Sequence, residues 1–145
     1  MAKLILIADD DDDDAKAFKD VLKKAGITNP VLRVRDGEDV ISYLKGEGKY
    51  ENRKKFPLPS VLLLDLKMAR VGGFSVLEWL KPQKEFKDIL AVVLSGHNDL
   101  ENVRRAYHLG ARSFLMKPCH PQEVQNLMRA YSSYWETDNA AVSQQ

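Results

Sequence analysis

The sequence predicts an α/β fold: a single doubly wound sheet of five parallel strands with five helices over its two faces. Two observations predict it. Five short apolar runs alternate with segments whose apolar residues recur at helical spacing. The clearest runs are also continuous rather than alternating, which suits strands covered on both sides. Such alternation favours parallel strands joined by right-handed crossovers.

Lys3 to Ala8 reads as the first strand. Ala15, Phe18, Val21, Leu22 and Ala25 then mark a helix that Gly26 stops. Val31 to Val34 is a short second strand, Asp36-Gly37 a turn, and Val40, Ile41 and Leu44 a second helix ending near Gly46. Residues 46–59, GEGKYENRKKFPLP, are polar, basic and without periodicity, so they are expected to be an exposed insertion. Its Lys49, Arg53, Lys54 and Lys55 could touch an acidic partner, although a solvated loop is the preferred reading.

Val61 to Leu64 is the third strand and ends on Asp65. Phe74, Val76, Leu77 and Leu80 follow Gly72-Gly73 as a third helix that Pro82 stops. Ile89 to Leu94 is a fourth strand ending on Ser95. Leu100, Val103, Ala106, Tyr107 and Leu109 form the fourth helix, with Gly110 as its stop. Ser113 to Met116 is the fifth strand, ending on Lys117-Pro118. Pro121 opens the last helix, expected to carry Val124, Leu127, Met128, Tyr131, Tyr134 and Trp135. One domain is expected over residues 1–135, followed by a disordered polar tail at 136–145.

Composition narrows the function classes. The chain has 145 residues, 44% hydrophobic and 30% charged, as ordinary globular proteins have. Its 22 basic and 21 acidic side chains leave a net charge of +1, against general nucleic-acid or membrane-surface binding. The single cysteine, Cys119, excludes an internal disulfide and fits a reducing compartment. No apolar stretch is long enough to span a bilayer, and no cleavable leader precedes the acidic run. A cytoplasmic domain is expected. No output domain follows residue 145, so its response is expected to pass through protein contacts or self-association.

The most unusual stretch is Leu4 to Asp14, LILIADDDDDD, an apolar run followed by six carboxylates. Like charges this close repel one another unless something neutralises them. Asp11 to Asp14 suit an N-cap and first helical turn, where unpaired N–H groups accept anions. Asp9 and Asp10 fall at the strand end, where carboxylates can hold a hard cation such as Mg²⁺. Taken alone, the stretch fits either a metal site or a solvated cap.

The other strand ends favour the metal site. In a parallel sheet they share one edge, so Asp9, Asp10, Asp65, Ser95 and Lys117 should converge where α/β sheets bind ligands. Three carboxylates, a hydroxyl and an ammonium suit phosphoryl transfer. A carboxylate is a competent nucleophile toward phosphorus, and the transferred group needs its oxygen charges neutralised.

These residues carry a resemblance. The acid pair Asp9-Asp10, Asp65 in LLLDLKM, Ser95 in VVLSG and Lys117-Pro118 in FLMKP resemble a response-regulator receiver domain over residues 3 to 130. The intervals, 30 residues from Asp65 to Ser95 and 22 from Ser95 to Lys117, are similar to that family's. The resemblance implies a flavodoxin-like sheet in the order 2-1-3-4-5. It implies Asp65 as phosphoacceptor, with Asp10, Asp65 and the Lys67 backbone carbonyl as Mg²⁺ ligands and Asp9 acting through a bound water. Lys117 and Ser95 would bind the phosphoryl group, and Lys117-Pro118 would be a cis peptide.

A switch is implied as well, in which the Ser95 hydroxyl moves toward the phosphoryl group and the Phe114 ring fills the vacated space. Plain core packing is the simpler account of Phe114. The chain departs from the family pattern at Ala69, where proline is common, and at Gly72, where an acid is common. Lys67 and His97 flank the path of an attacking water and are expected to tune phosphoryl lifetime.

The 46–59 insertion and the ending YSSYW are similar to bacterial stand-alone receivers serving sensor histidine kinases, phytochrome-type kinases among them. Tyr131, Tyr134 and Trp135 would share one helical face, available either for homodimerisation or for docking on the domain's own core.

Two rival readings fit the sequence less well. A Mg²⁺-dependent phosphatase of the haloacid-dehalogenase type wants a second Asp two residues beyond the nucleophile, where this chain has Lys67. A phosphorylation-independent pseudo-receiver would not need the complete acid, hydroxyl and lysine set. A calcium loop at residues 9–14 lacks the required glycine and glutamate, and no phosphate-binding glycine loop is present. His97, His108 and His120 lack metal-ligand spacing, and Cys119 beside His120 has no third partner.

Overall fold

The apolar runs become strands whose two sides are both covered. In the computed structural model, which describes residues 3–96 and 100–138, β1 (Ile5–Ala8), β2 (Val31–Val34), β3 (Val61–Asp65), β4 (Leu90–Ser95) and β5 (Ser113–Met116) form one sheet. All neighbours are parallel, in the order β2-β1-β3-β4-β5. The helices are α1 (Asp12–Lys24), α2 (Gly37–Lys45), α3 (Gly73–Leu80), α4 (Leu100–His108) and α5 (Pro121–Ala130).

Alternate strand residues point to opposite faces, so the two layers split the core between them. Ile5, Ile7, Leu63, Val92 and Leu94 pack with Phe18 and Leu22 of α1 and Val124 and Leu127 of α5. Leu6, Ala8, Leu62, Leu64 and Val93 pack with Val40 and Leu44 of α2, Val76 and Leu77 of α3, and Ala106 of α4. Among the described residues no helix is long and apolar enough to cross a membrane.

This strand order positions the site. The chain runs outward from β1 to β2, then crosses to β3 on the other side of β1. Strand order therefore reverses between β1 and β3, and the crevice opens at their C-terminal ends. Ala8 pairs with Leu64, which sets Asp9 beside Asp65.

The helix ends follow the sequence signals. Asp11 caps α1 by accepting from the Asp14 N–H at 3.0 Å, and Gly46 ends α2 in the left-handed region at φ 71°. Asp36, expected only in a turn, caps α2 by accepting from the Asp39 N–H at 2.8 Å. Gly37 then lies against the next loop and donates to the Val71 carbonyl at 2.9 Å. A Cβ there would overlap that carbonyl and meet Val71 Cγ1 and Val76 Cγ2 at 2.7 Å. Gly37→Ala is therefore expected to cost about 1–3 kcal/mol in urea unfolding, even though alanine normally favours a helix.

The 46–59 segment is exposed over most of its length, Lys49, Lys54 and Lys55 included, but it is pinned to the domain by buried and hydrogen-bonded residues. Gly48–Tyr50 forms a 3-10 turn, Tyr50 is buried, and its ring lies 4.9 Å from Tyr43 and 5.2 Å from Phe56 between centroids. Arg53, read as solvated or available to a partner, instead donates to the carbonyls of Tyr43, Leu44 and Phe56 at 2.8, 2.6 and 3.2 Å. It thereby satisfies the Leu44 carbonyl at the end of α2 and gives that of Tyr43 a second donor beside the Gly46 N–H. The aromatic area of Tyr50 and Phe56 outweighs the segment's basic character.

The C-terminal end also differs from expectation. The last helix stops at Ala130, Tyr131 leaves the helical region at φ −133°, and Ser132–Tyr134 forms a 3-10 turn. Tyr131, Tyr134 and Trp135 therefore share no α-helical face. Trp135 is buried in the α1–α5 layer, while Tyr131 and Tyr134 are half-buried against it. Residues 136–138, assigned to a disordered tail, are held in place. Thr28 donates to the Glu136 carbonyl and Asp138 to that of Gly26, both at 2.8 Å, around an Ile27–Thr137 antiparallel bridge. Buried Asn29 ties this clasp together, donating to the Lys3 and Tyr134 carbonyls and accepting from the Glu136 N–H. Residues 139–145 lie outside the described residues.

Candidate functional site

Asp9 follows β1 directly and is buried, and Asp65, the last residue of β3, is buried beside it. Lys117 follows β5 and reaches back over both. Its Nζ lies 3.0 Å from Asp9 Oδ2, 3.2 Å from Asp65 Oδ2 and 3.1 Å from Asp14 Oδ2. The peptide bond from Lys117 to Pro118 is cis, and the Lys117 N–H donates to the Ser95 carbonyl at 2.8 Å. The lysine is thus anchored to β4 while its ammonium sits among three carboxylates.

Burial sets the electrostatics. It pushes the Asp65 carboxyl up, the Lys117 charge opposes that, the Asp9 charge adds to it, and the pKa settles at about 6. For Lys117, burial acts downward, but hydrogen bonds to Asp9 and Asp14 and the charges of Asp65 and Asp9 outweigh it. The net shift is upward, so the ammonium stays charged.

Asp10 is exposed at the mouth of the crevice, and its Oδ2 accepts from the Ala69 N–H at 3.1 Å. Asp9, Asp10 and Asp65 each offer one carboxylate oxygen, all within 4.8 Å of one another. Three hard oxygen donors at that spacing fit a divalent cation such as Mg²⁺. Asp65 also accepts from the Lys67 N–H, at 3.3 Å through Oδ1, which curls the loop after β3 back over the site.

The other expected site residues lie as follows. Ser95 closes β4 and is buried next to the Asp65 strand. Phe114 pairs with Val93 on β5 and packs, half-buried, in the layer under α2, α3 and α4. The Lys67 side chain is exposed. His97 lies outside the described residues. Cys119 is buried, and burial, with the Glu123 charge, pushes its thiol up to about 11, which makes it a poor nucleophile.

Several participants escaped sequence reasoning. Asp14 reaches Lys117 as well as beginning a helix. Its signal was present, because Asp14, Phe18 and Leu22 recur at four-residue steps, which places a carboxylate on the inward stripe of α1. Arg33 of β2 donates to the Asp9 carbonyl through Nε and Nη2 at 3.0 and 2.8 Å, and to Asp12 through Nη1 at 2.6 Å. Arg35 joins Asp12 at 2.9 Å. The two arginines hold the Asp12 carboxyl below its usual range. The acidic run is therefore neutralised by basic residues about 20 positions and about 100 positions away, a pairing that local sequence cannot reveal.

The fold and site define a flavodoxin-like sheet with an acid cluster and an ammonium at its switch point, an arrangement suited to a divalent cation and a phosphoryl group. The chain matches the response regulator receiver domain over residues 5–129, and it belongs to that family. It is 29% identical over 133 residues to the response regulator Rcp1 of Synechocystis, covering 92% of this chain and 88% of that protein. Among solved structures it resembles the bacteriophytochrome response regulator AtBRR (30% identity, 96% and 99% coverage, TM-score 0.82). It also resembles the Mn(2+)-bound form of Rcp1 (27% identity, 94% and 99% coverage, TM-score 0.77). Response regulators receive the signal in two-component systems, and phosphorylation is typical of them. Neither the phosphatase nor the pseudo-receiver alternative is favoured by this match.

Proposed function

We propose that this receiver takes a phosphoryl group from a sensor histidine kinase onto Asp65. The observation that carries the proposal is the Lys117 ammonium 3.2 Å from the Asp65 carboxylate, with Asp9 and Asp10 alongside. An Asp65 oxygen would form the new O–P bond as the donor's P–N bond breaks and its electron pair leaves on the imidazole nitrogen. Lys117 would exchange a carboxylate for a phosphoryl oxygen, and the Ser95 hydroxyl would approach another. Mg²⁺, when bound, would neutralise charge on the transferred group. Asp10, Asp65 and the Lys67 carbonyl would hold the ion, with Asp9 acting through water. The acid cluster and the Mn(2+)-bound relative support that assignment. In this way the domain assists its own phosphorylation and dephosphorylation without being a conventional enzyme.

The Ser95–Phe114 pair would pass the change to the surface formed by α4, β5 and α5, and Lys67 and His97 would set the phosphoryl lifetime. The likeness to solved bacteriophytochrome response regulators supports a phytochrome-type kinase as donor. Output would pass through protein contacts. Self-association through the half-exposed Tyr131 and Tyr134 is one such contact, with Trp135 excluded by its burial.

With an acyl-phosphate donor and Mg²⁺, the protein should gain one acid-labile phosphate. Steady turnover of an external phosphomonoester would point to a phosphatase instead. Label moving from an autophosphorylated phytochrome-type kinase would support that donor. Uptake from the acyl phosphate alone would overturn the donor and leave the acceptor role standing.

A further inference from the structure

The loop after β3 carries the Lys67 carbonyl and the Ala69 N–H that holds Asp10, yet it contains neither proline nor an acid. What holds it is an ion pair with the start of α2. Arg70 donates to Asp36 Oδ2 through Nε at 3.0 Å and Nη2 at 2.6 Å, and its Nη1 lies 3.6 Å from Glu38. Asp36 is buried, and its other oxygen caps α2 by accepting from the Asp39 N–H at 2.8 Å. At the next position on each side, the Val71 carbonyl accepts from the Gly37 N–H at 2.9 Å.

Arg70 adopts φ 64°, the left-handed region, where any residue but glycine is disfavoured. It is the one non-glycine residue with positive φ among the described residues. A strained backbone persists only where the surroundings over-determine it. Here a two-donor grip on one buried carboxylate oxygen does so. The turn at Arg70 lies between two tethers, Ala69 to Asp10 at 3.1 Å and Val71 to Gly37 at 2.9 Å. The pair therefore sets where the loop meets the acid cluster.

We infer that Asp36 and Arg70 form a positioning pair that holds the loop after β3 in the shape needed for cation binding at Asp9, Asp10 and Asp65. The inference rests on the proposed metal site and adds residues that touch neither ion nor phosphoryl group. Groups that orient metal-binding atoms commonly contribute tenfold or more to metal affinity.

The test is calorimetric Mg²⁺ titration of wild type, Arg70→Gly and Asp36→Asn. Glycine keeps the left-handed turn without the pair, and asparagine keeps the α2 cap without the charge. Positioning predicts that both variants weaken Mg²⁺ binding about tenfold, and that the double variant is no weaker than either single one. A through-space charge effect alone predicts opposite signs, because Arg70→Gly removes a positive charge near the acids and Asp36→Asn removes a negative one. Opposite signs, or unchanged affinities, would overturn the pair while leaving the metal site intact. A wild-type protein that binds no Mg²⁺ would overturn the metal site and the pair together. Amide hydrogen exchange supplies a readout without metal. The Ala69 N–H should exchange faster in both variants while urea midpoints stay close to wild type, and protection equal to wild type would also overturn the pair.

Discussion

Asp65→Asn is expected to abolish phosphate uptake from both an acyl-phosphate donor and a histidine kinase. The amide preserves size but lacks the anionic oxygen that must form the O–P bond. Intact-mass measurement before and after acid treatment reads the result. Equal labelling of the variant would remove Asp65 as acceptor. The same variant should be more stable than wild type at neutral pH. A carboxyl whose folded pKa is about 6, against 3.8 when unfolded, binds protons more readily in the fold. Between those values the native state holds more protons than the unfolded chain, so stability from this group falls as pH rises through the window. Above it, the ionised Asp65 carries the whole penalty, on the order of 1–3 kcal/mol. Asparagine has no such penalty, and Lys117 keeps Asp9 and Asp14 as partners. Urea unfolding should place Asp65→Asn above wild type at pH 7.5, with the difference shrinking toward pH 4. A variant less stable at both pH values would contradict this account of the buried carboxyl.

Mg²⁺ at about a hundredfold excess over Kd is expected to stabilise the wild type by about 2.7 kcal/mol, a rise of several degrees in Tm for a domain of this size. The ion relieves repulsion among Asp9, Asp10 and Asp65 that Lys117 offsets only in part. Asp10→Ala should lose most of that rise. Asp10 is exposed and bonded only to the Ala69 N–H among the contacts described, so its removal leaves the core intact. Because Mg²⁺ competes with the proton on Asp65, apparent affinity should drop about tenfold for each pH unit below about 6. Thermal melts at pH 7.5 and 5 with and without Mg²⁺ measure both effects. Equal shifts in wild type and Asp10→Ala would exclude Asp10 as a ligand.

Much of this protein was legible because its signals are local. Continuous apolar runs specified the five strands, and Gly26, Gly46 and Gly110 marked helix ends where the backbone turns left-handed. Topology did the rest for the site. Once the strands are parallel, their C-terminal ends share an edge, so Asp9, Asp65 and Lys117 had to meet.

The misreadings have a common physical origin. Helical spacing continued into YSSYW, but the chain leaves the helix after Ala130 so that Trp135 can be buried against the α1–α5 layer. The basic look of residues 46–59 concealed Tyr50, and the polar look of 136–138 concealed a clasp organised by Asn29. In each case burial against a distant segment outweighed local character.

The sequence by itself determined the sheet, its helices and the edge at which the reactive groups gather, because period and turn chemistry act within a few residues. Only the tertiary structure decided how five of the six adjacent carboxylates are shared out. Asp9 and Asp14 go to Lys117, Asp12 to Arg33 and Arg35, Asp11 to its own helix, and Asp10 to the loop that Arg70 and Asp36 hold. Charges act through space at distances of a few ångströms, and the partners that answer them are set by the folded chain.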